Sequence, residues 1–372
     1  MCSRIEMDGD GSMNRNEYEY VNSPETKHKG IRLLSRVLKR VIKRDDTYIR
    51  NVLLLDEDPD RVVIRHNGTE DYGKIVYVIK ENTCCDGFCA TLLLIMCDLI
   101  YAKQHGFAPV IRLTSEYAYY DEEKSKEIKN PWEYYFLPEE EAYDENRAMH
   151  VSYANYTHRE SIRKKYGIGN YRVEEYYDET IRNLCAPVVK KYFRMKPEII
   201  REAEDLLGGV KTSGGKVLGI HFRGTDFKEA YDGHPVFVDA DRMIEEIGKV
   251  LASENYKAVF LATDDASFGE KLKNVIGDAL LLQHADVYRS DGNRSVAFSE
   301  NERKYHHYLL GREIARDMYT LSLCDGLLAG KSMVGLMSYL FKCSRDEAYA
   351  TMHIIDNGNH SNGRFFQTHR EK

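Results

Sequence analysis

Hydrophobic and polar residues alternate along the chain in blocks that predict repeated strand–helix units. A short apolar run, "KIVYVIK", begins at Lys74, and a long apolar stretch covers residues 88–104. The first run has the length of a buried strand. The second has the length of a helix, which ends at Gly106 before another strand-like run, "APVIRL". Since a helical crossover joins parallel neighbours, this unit predicts a parallel sheet.

The second half of the chain repeats this alternation behind a glycine-rich segment, "GGVKTSGGK", at which a helix over residues 197–207 is expected to end. Four strand-like runs follow, namely "KVLGIHF", "KAVFLAT", "ALLLQ" and "DGLLAG". Helical patterns accompany them at residues 239–253, from 266 onwards, 301–323 and 333–341. The tyrosine-rich, acidic region 115–177 predicts loops and short helices.

Together these patterns predict an α/β fold with two Rossmann-like, doubly wound domains that face a cleft. We expect a leader over residues 1–73, an N-terminal domain over 74–210 and a C-terminal domain over 211–372. Ligands of open α/β sheets bind at the carboxyl ends of the strands, so site residues are expected there.

Charge, hydropathy and cysteine content narrow the class of protein. The 53 basic and 60 acidic side chains give a net charge of -7, which argues against a nucleic-acid partner. The longest apolar stretch, residues 89–100, is interrupted by Asp98 and falls short of the roughly 20 residues that cross a bilayer. The start of the chain lacks the pattern of a secretory signal, and the eight cysteines are too irregularly spaced for a disulfide framework. We therefore expect a cytoplasmic protein with reduced thiols.

Polar residues gather at the end of the strand "KVLGIHF". His221 and Arg223 point to the same side of the strand because side chains alternate with a period of two. Arg223 offers a planar set of donors that matches phosphate oxygens, and Gly224 lets backbone N–H groups approach the same anion. This arrangement predicts a diphosphate site. The alternative is a purely structural ion pair between Arg223 and Asp226.

A second polar group ends the strand "KAVFLAT". Asp264 and Asp265 follow it directly, on the side of the sheet where ligands bind. One of the two carboxylates is expected to face a ligand. The alternative is that they only cap the following helix.

A third group lies on the predicted helix 301–323 and in the turn after the next strand. Glu313 and Asp317 are four residues apart and share a helix face, where a carboxylate could accept N–H groups from guanine. The segment "GKS" at residues 330–332 then begins a helix whose first N–H groups are available to an anion. It is not a Walker loop, because Asp325 stands where that motif requires glycine.

In this order and spacing, the three groups resemble the GDP-fucose-dependent fucosyltransferases, a family that includes the α1,6 enzymes of nodulation and core fucosylation and the protein O-fucosyltransferases. The matching residues are His221, Arg223, Thr225 and Asp226 in the first block, 262–265 in the second, and Asp317 and Ser332 in the third. The match covers about the last 150 residues well and the first half only loosely, through "CCDGFCATLLL".

The resemblance implies a GT-B fold and an inverting enzyme that needs no metal, with an acceptor domain followed by a GDP-sugar-binding domain. It implies that Arg223 holds the β-phosphate, that His221 and Asp317 contact guanine, and that Ser332 and its neighbours, Met333 among them, hold the phosphates. The family's catalytic base is a Glu shortly after the first motif.

Glu229 is the candidate for this base, with Asp226 and Asp232 as alternatives. A non-catalytic sugar-nucleotide or glycan-binding protein on the same scaffold is the competing hypothesis. Such a binder would need Arg223 and Asp317 but no base.

Two features of the leader suggest further contacts. Residues 6–17 fit part of an EF-hand loop and predict calcium ligation through Asp8, Asp10, Ser12 and Glu17. The entry helix of such a hand is missing, and an acidic, solvated tail is the alternative.

Residues 31–44 form an amphipathic helical pattern with six Lys or Arg on one face. The pattern predicts either peripheral contact with anionic lipid at the inner membrane face or packing on the protein's own domain.

Overall fold

The computed structural model describes residues 19–20, 62–80, 87–141, 143–224, 230–276, 281–289, 299 and 301–363, and its strands and helices confirm an α/β fold. The strands are β1 Glu19–Tyr20, β2 Val63–Ile64, β3 Val76–Ile79, β4 Ala108–Ile111, β5 Val151–Tyr153, β6 Lys216–Phe222, β7 Tyr256–Thr263, β8 Leu281–Leu282, β9 Gly326–Gly330 and β10 Thr351–Ile355. The helices are α1 Phe88–Gln104, α2 Glu122–Ser125, α3 Tyr156–Tyr166, α4 Glu179–Tyr192, α5 Pro197–Thr212, α6 Ala240–Ser253, α7 Ala266–Ile276, α8 His306–Leu323 and α9 Met333–Ser344.

The C-terminal sheet is parallel, with the strand order β10-β9-β6-β7-β8. Leu218 and Ile220 of β6 pack with Met243 of α6 and Phe268 of α7 on one face. Val217 belongs to the core on the other face, together with residues of α8 and α9. Helices therefore cover both faces, as the alternation along the sequence predicts. The order of the strands reverses between β6 and β9, and a crevice at their carboxyl ends is the expected ligand position.

The N-terminal sheet is also parallel, with the order β4-β3-β5. Tyr77 of β3 packs on α1 and α3 and forms a 2.9 Å hydrogen bond with Nδ1 of His158. Val76 and Val78 turn to the opposite face, where the described residues include Tyr72 and Tyr143. The sheet thus separates a helical layer from a layer of loops.

One hydrophobic core joins the helical layers of the two sheets. Phe193, at the end of α4, packs edge-on against Phe341 of α9, with ring centroids 6.5 Å apart. The thiol of Cys89 in α1 lies 3.5 Å from the sulfur of Met318 in α8. The beginning of α1 is therefore held next to helix α8 of the C-terminal layer.

Three predicted helix boundaries are wrong: the end of α5, the beginning of α8, and the end of α9, which extends to Ser344 rather than to Phe341. Helix α5 continues past Leu207 through the glycine pair to Thr212, because Val210 still packs on the core and the turn comes only at Gly214, with φ +75°. Helix α8 begins at His306 rather than at Asn301. The Asn301 side chain accepts the N–H of Arg303 in a turn, and Tyr305 is left-handed, with φ +61°.

The sequence pattern also missed four strands, of which β1 and β2 are two residues long and lie in the predicted leader. The three-residue strand β5 and the following helix α3 lie in the region predicted as loops and short helices. Strand β10 is an edge strand whose residues His353 and Thr351 remain partly exposed, so it has no continuous apolar run.

Several predictions concern properties of the whole chain. Cys89 and Cys97 are free and buried, as predicted for core thiols. Within the described ranges, no helix has both the length and the apolar character that a membrane span requires, and no cluster of metal-ligating side chains occurs. The predicted calcium loop at 6–17 and the basic amphipathic helix at 31–44 lie outside the described residues.

Candidate active site

A pocket that opens to solvent lies at the carboxyl ends of β6 and β9, where the strand order reverses. Its lining comes from the end of β6, from the turn between β9 and α9, and from the segment that precedes α6. The lining residues are His221, Phe222, Arg223, Pro235, Val236, Val238, Met243, Gly330, Lys331, Ser332 and Ile355. This is the position at which the topology of the sheet predicts a ligand.

Arg223 reaches this pocket from the end of β6 and is paired with Asp264 at the end of β7. The guanidinium Nη1 lies 3.2 Å from Oδ2 of Asp264, and both side chains are largely buried. The other carboxylate oxygen of Asp264 accepts the backbone N–H of Gly224 at 2.7 Å. One carboxylate thus orients both the guanidinium and the backbone of the turn that follows it.

The neighbouring carboxylate, Asp265, has a different role. Its Oδ1 accepts the N–H groups of Ser267 at 2.8 Å and of Phe268 at 3.2 Å, so it caps the beginning of α7. The capping alternative therefore applies to Asp265, whereas Asp264 is paired with Arg223 and does not itself line the pocket. A β-carbon at Gly224 would lie 2.4 Å from the β-carbon of Asp265, so this close packing of the turn requires glycine.

His221 and Ser332 join the two strand ends that flank the pocket. His221 is buried, and its Nδ1 lies 2.9 Å from the hydroxyl oxygen of Ser332. The same hydroxyl accepts the N–H of Gly335 and caps α9, while the Ser332 carbonyl accepts the Tyr176 hydroxyl at 2.9 Å. The turn after β9 is therefore held by three hydrogen bonds, to His221, Gly335 and Tyr176. Met333 is the first residue of α9 and packs, partly buried, on the core.

Cys89 lies in the first turn of α1. Burial raises the pKa of the Cys89 thiol, and the charge of Arg223 opposes that shift. This turn contains no acidic residue.

Asp317 lies in a separate, densely charged region and does not line the pocket. It is buried, and its Oδ1 has no hydrogen-bond partner among the described residues. Burial raises the pKa of Asp317 to about 7, and the positive charges of Arg316 and Arg289 oppose that shift. Arg316 itself forms ion pairs with Asp286 at 2.5 Å and with Glu202 at 2.8 Å.

His284 and Glu313 complete this charged region. Burial lowers the pKa of His284 to about 4, and its Nε2 lies 3.1 Å from the Thr320 hydroxyl. Glu313 is paired with Arg303 at 2.5 Å and accepts the N–H of Tyr288. The carboxylate of Glu313 is therefore engaged within the protein, whereas that of Asp317 retains one unused acceptor.

The candidates for a catalytic base lie mostly outside the described residues. Thr225, Asp226 and Glu229 belong to the segment 225–229, which the structure does not describe. Asp232 is described, and its Oδ1 accepts the N–H groups of Asn362 at 2.6 Å and of Gly363 at 3.0 Å. It thereby fixes the loop that follows the segment 225–229.

Lys331 is a lining residue that the sequence patterns did not single out as a contact. Its side chain is 5% exposed and forms an ion pair with Asp356, just after β10. The signal was present in "GKS", but the partner carboxylate follows a strand that the hydrophobic pattern did not predict.

Comparisons with known proteins give structural neighbours only: the sequence matches no protein-family model and no curated protein. The structure is similar to the fucosyltransferase NodZ from Bradyrhizobium, with 14% identity, a TM-score of 0.43, and coverage of 71% of this chain and 92% of that chain. It is similar to NodZ alpha-1,6-fucosyltransferase soaked with GDP-fucose, with 15% identity, a TM-score of 0.40 and coverage of 72% and 93%. It is also similar to POFUT1 in complex with GDP-fucose, with 11% identity, a TM-score of 0.39 and coverage of 76% and 97%.

Proposed function

We propose that the chain is a glycosyltransferase that moves fucose from GDP-fucose to a hydroxyl group of a glycan acceptor. The observation that carries this proposal is the position of Arg223, whose guanidinium lies in a pocket at the β6–β9 reversal, beside His221 and Ser332. Arginine matches the oxygens of a phosphate bidentately, and the strand reversal is the usual nucleotide position of this kind of sheet. The motif resemblance supplies the identity of the sugar nucleotide.

The reaction we propose is a single displacement with inversion. The acceptor oxygen bonds to the anomeric carbon as the bond from that carbon to the diphosphate oxygen breaks, and the acceptor proton passes to a carboxylate. We assign that base to Glu229, with Asp226 and Asp232 as alternatives. Arg223 stabilises the negative charge that grows on the departing GDP, so the proposal assigns no metal to this step.

Preorganisation of Arg223 comes from the residues around it. Asp264 holds the guanidinium at 3.2 Å before a donor arrives, and Gly224 leaves room for the turn to pack against Asp265. A guanidinium that is already oriented loses little side-chain entropy when phosphate binds. The guanine contact that the resemblance gives to Asp317 stays a prediction, as do the phosphate contacts of Met333 and Thr225.

Three proposals concern the protein's surroundings. We propose a cytoplasmic location, peripheral contact of residues 31–44 with anionic membranes, and calcium binding at residues 6–17. None of them is required by the chemistry proposed for the pocket.

The test is turnover of GDP-fucose with a panel of glycan acceptors, followed by mass spectrometry of the acceptor and by release of GDP. We expect a fucosylated acceptor and a stoichiometric amount of GDP. Tight binding of GDP-fucose with no transfer and no hydrolysis would instead favour the sugar-nucleotide-binding hypothesis. Transfer from UDP-sugars alone would overturn the donor assignment.

A further inference from the structure

Lys331 is a buried cation in the pocket that the proposed reaction does not use. It follows β9 directly and lines the same pocket as Arg223 and His221. Only 5% of its side chain is exposed, and it is paired with Asp356. A buried lysine is rare unless it is paired or serves a ligand.

The strand register explains why these two residues meet. Ile355 of β10 lies opposite Gly330 of β9, so Lys331 and Asp356 are the next residues on two neighbouring parallel strands. Both therefore leave the sheet at its carboxyl edge, where ligands bind. The pair lies on the β9 side of the pocket, and the Arg223–Asp264 pair lies on the β6 side.

The described residues that line the pocket carry a net positive charge. Among the described residues that line it, Arg223 and Lys331 are cations, and none is a carboxylate. Asp264 and Asp356, which balance these cations, stand behind them rather than in the lining. Such a lining fits a ligand with at least two negative charges, as a diphosphate has.

We propose that Lys331 is a second cation for the diphosphate of the donor, and that Asp356 is its counterion while the pocket is empty. This inference rests on the proposed function. Arg223 contacts the diphosphate from the end of β6, and Lys331 contacts it from the turn after β9. The four-carbon stem of lysine lets the ammonium group move from Asp356 to a phosphate oxygen within the same pocket.

Asp356 can release the ammonium group because it has other partners. Its side chain is 46% exposed, so water solvates the carboxylate. Its Oδ1 also accepts the N–H of Gly358 at 2.8 Å. The exchange therefore leaves no buried, unpaired carboxylate, which is the usual cost of breaking an ion pair in the interior.

The experiment measures the affinities of GDP, GMP and inorganic pyrophosphate by calorimetry on the full chain, without divalent metal. The variants are Lys331→Met, Lys331→Arg and Asp356→Asn. Lys190→Met serves as the control, because Lys190 forms an exposed ion pair with Asp346. Thermal unfolding of each variant without ligand reports whether it is folded.

We expect Lys331→Met to reduce the affinities for GDP and pyrophosphate by about tenfold to a hundredfold, which is the effect of losing one hydrogen bond to a charged group. The affinity for GMP should fall much less. Lys331→Arg keeps the charge and retains most of the affinity for GDP. Asp356→Asn binds GDP at least as tightly as the native chain, because it no longer competes for the ammonium group. Lys190→Met leaves all three affinities unchanged.

Two results would overturn the inference: a folded Lys331→Met variant with the native ratio of GDP to GMP affinity, or loss of GDP affinity in Asp356→Asn. The second result would show that the ion pair only holds the turn in place. If Lys331→Met does not fold, Lys331→Arg and Asp356→Asn decide the question.

The native chain separates this inference from the proposed function. Failure to bind GDP, together with pyrophosphate binding that depends on Lys331, would reject the donor assignment and keep the role of Lys331. Failure to bind either ligand would reject both.

Discussion

The Nδ1 atom of His221 lies 2.9 Å from the hydroxyl of Ser332, which links the ends of β6 and β9 across the point where the strand order reverses. The two residues are 111 positions apart in the chain. Through this contact, the strand that carries Arg223 and the turn that carries Lys331 form one pocket wall. The hydroxyl has a second task, since it caps α9 through the N–H of Gly335.

Replacing Ser332 should therefore reduce both stability and ligand binding. Ser332→Ala removes the helix cap, which typically costs about 1 kcal/mol, and it leaves His221 without this partner. We expect a lower midpoint of chemical denaturation and weaker GDP binding. Ser332→Thr, which keeps a hydroxyl, should lose less of both. Equal losses in the two variants would show that the side-chain oxygen is not what matters.

The adjacent carboxylates Asp264 and Asp265 should respond differently to substitution. Asp265→Ala removes the cap of α7, so we expect a loss of about 1 kcal/mol in unfolding free energy and little change in GDP affinity. Asp264→Asn removes the charge that orients Arg223. We expect this variant to show a large loss of turnover and only a small loss of unfolding free energy. Denaturant titrations and initial rates, measured on the same preparations, give the stability and the turnover of each variant. Equal losses of stability and of turnover in the two variants would contradict the different roles of Asp264 and Asp265.

The buried carboxyl of Asp317 should make stability depend on pH. Burial raises the pKa of Asp317 to about 7 in the folded chain, while an unfolded chain ionises an Asp near pH 4. Between these values the folded state binds the extra proton. This group therefore stabilises the fold at low pH, and that contribution is lost as pH rises toward 7.

Asp317→Asn removes this titration. The free energy of unfolding of the variant minus that of the native chain should increase from pH 4 to pH 7, by an amount on the order of a few kcal/mol. Denaturant titrations at several pH values measure this difference, in which the other carboxylates cancel. A difference that stays constant with pH would show that Asp317 does not titrate in this range. GDP titration of the same variant tests its predicted guanine contact.

The sequence predicted most of the C-terminal sheet because its strands are continuous apolar runs. Strand β6 has the predicted limits, and Asp239 caps α6 directly before its first residue. The short edge strand β10 was missed because its stability comes from pairing with β9 rather than from its own hydrophobic pattern. With β10, the sequence also missed the position of Asp356 and thus the partner of Lys331.

The candidate site was predicted in part. His221 and Arg223 both line one pocket, but Phe222 between them lines it too, so the lining does not test the predicted period of two along β6. The pairing of Arg223 with Asp264 could not be predicted, because it depends on the packing of β7 beside β6. Helical spacing placed Glu313 and Asp317 on one face of α8, but the ion pair of Arg303 with Glu313 depends on tertiary contacts that spacing does not contain.

Calorimetric titrations of GDP, UDP and ADP into the native chain and into Arg223→Ala test whether Arg223 binds the diphosphate of a guanine nucleotide. We expect the native chain to bind GDP most tightly. We expect the folded variant to lose at least about tenfold in GDP affinity, because a charge-assisted contact to phosphate is removed. An exposed-arginine variant, Arg182→Ala, should bind GDP like the native chain. Equal GDP affinity in the native chain and in Arg223→Ala, or a preference for UDP or ADP, would contradict the account.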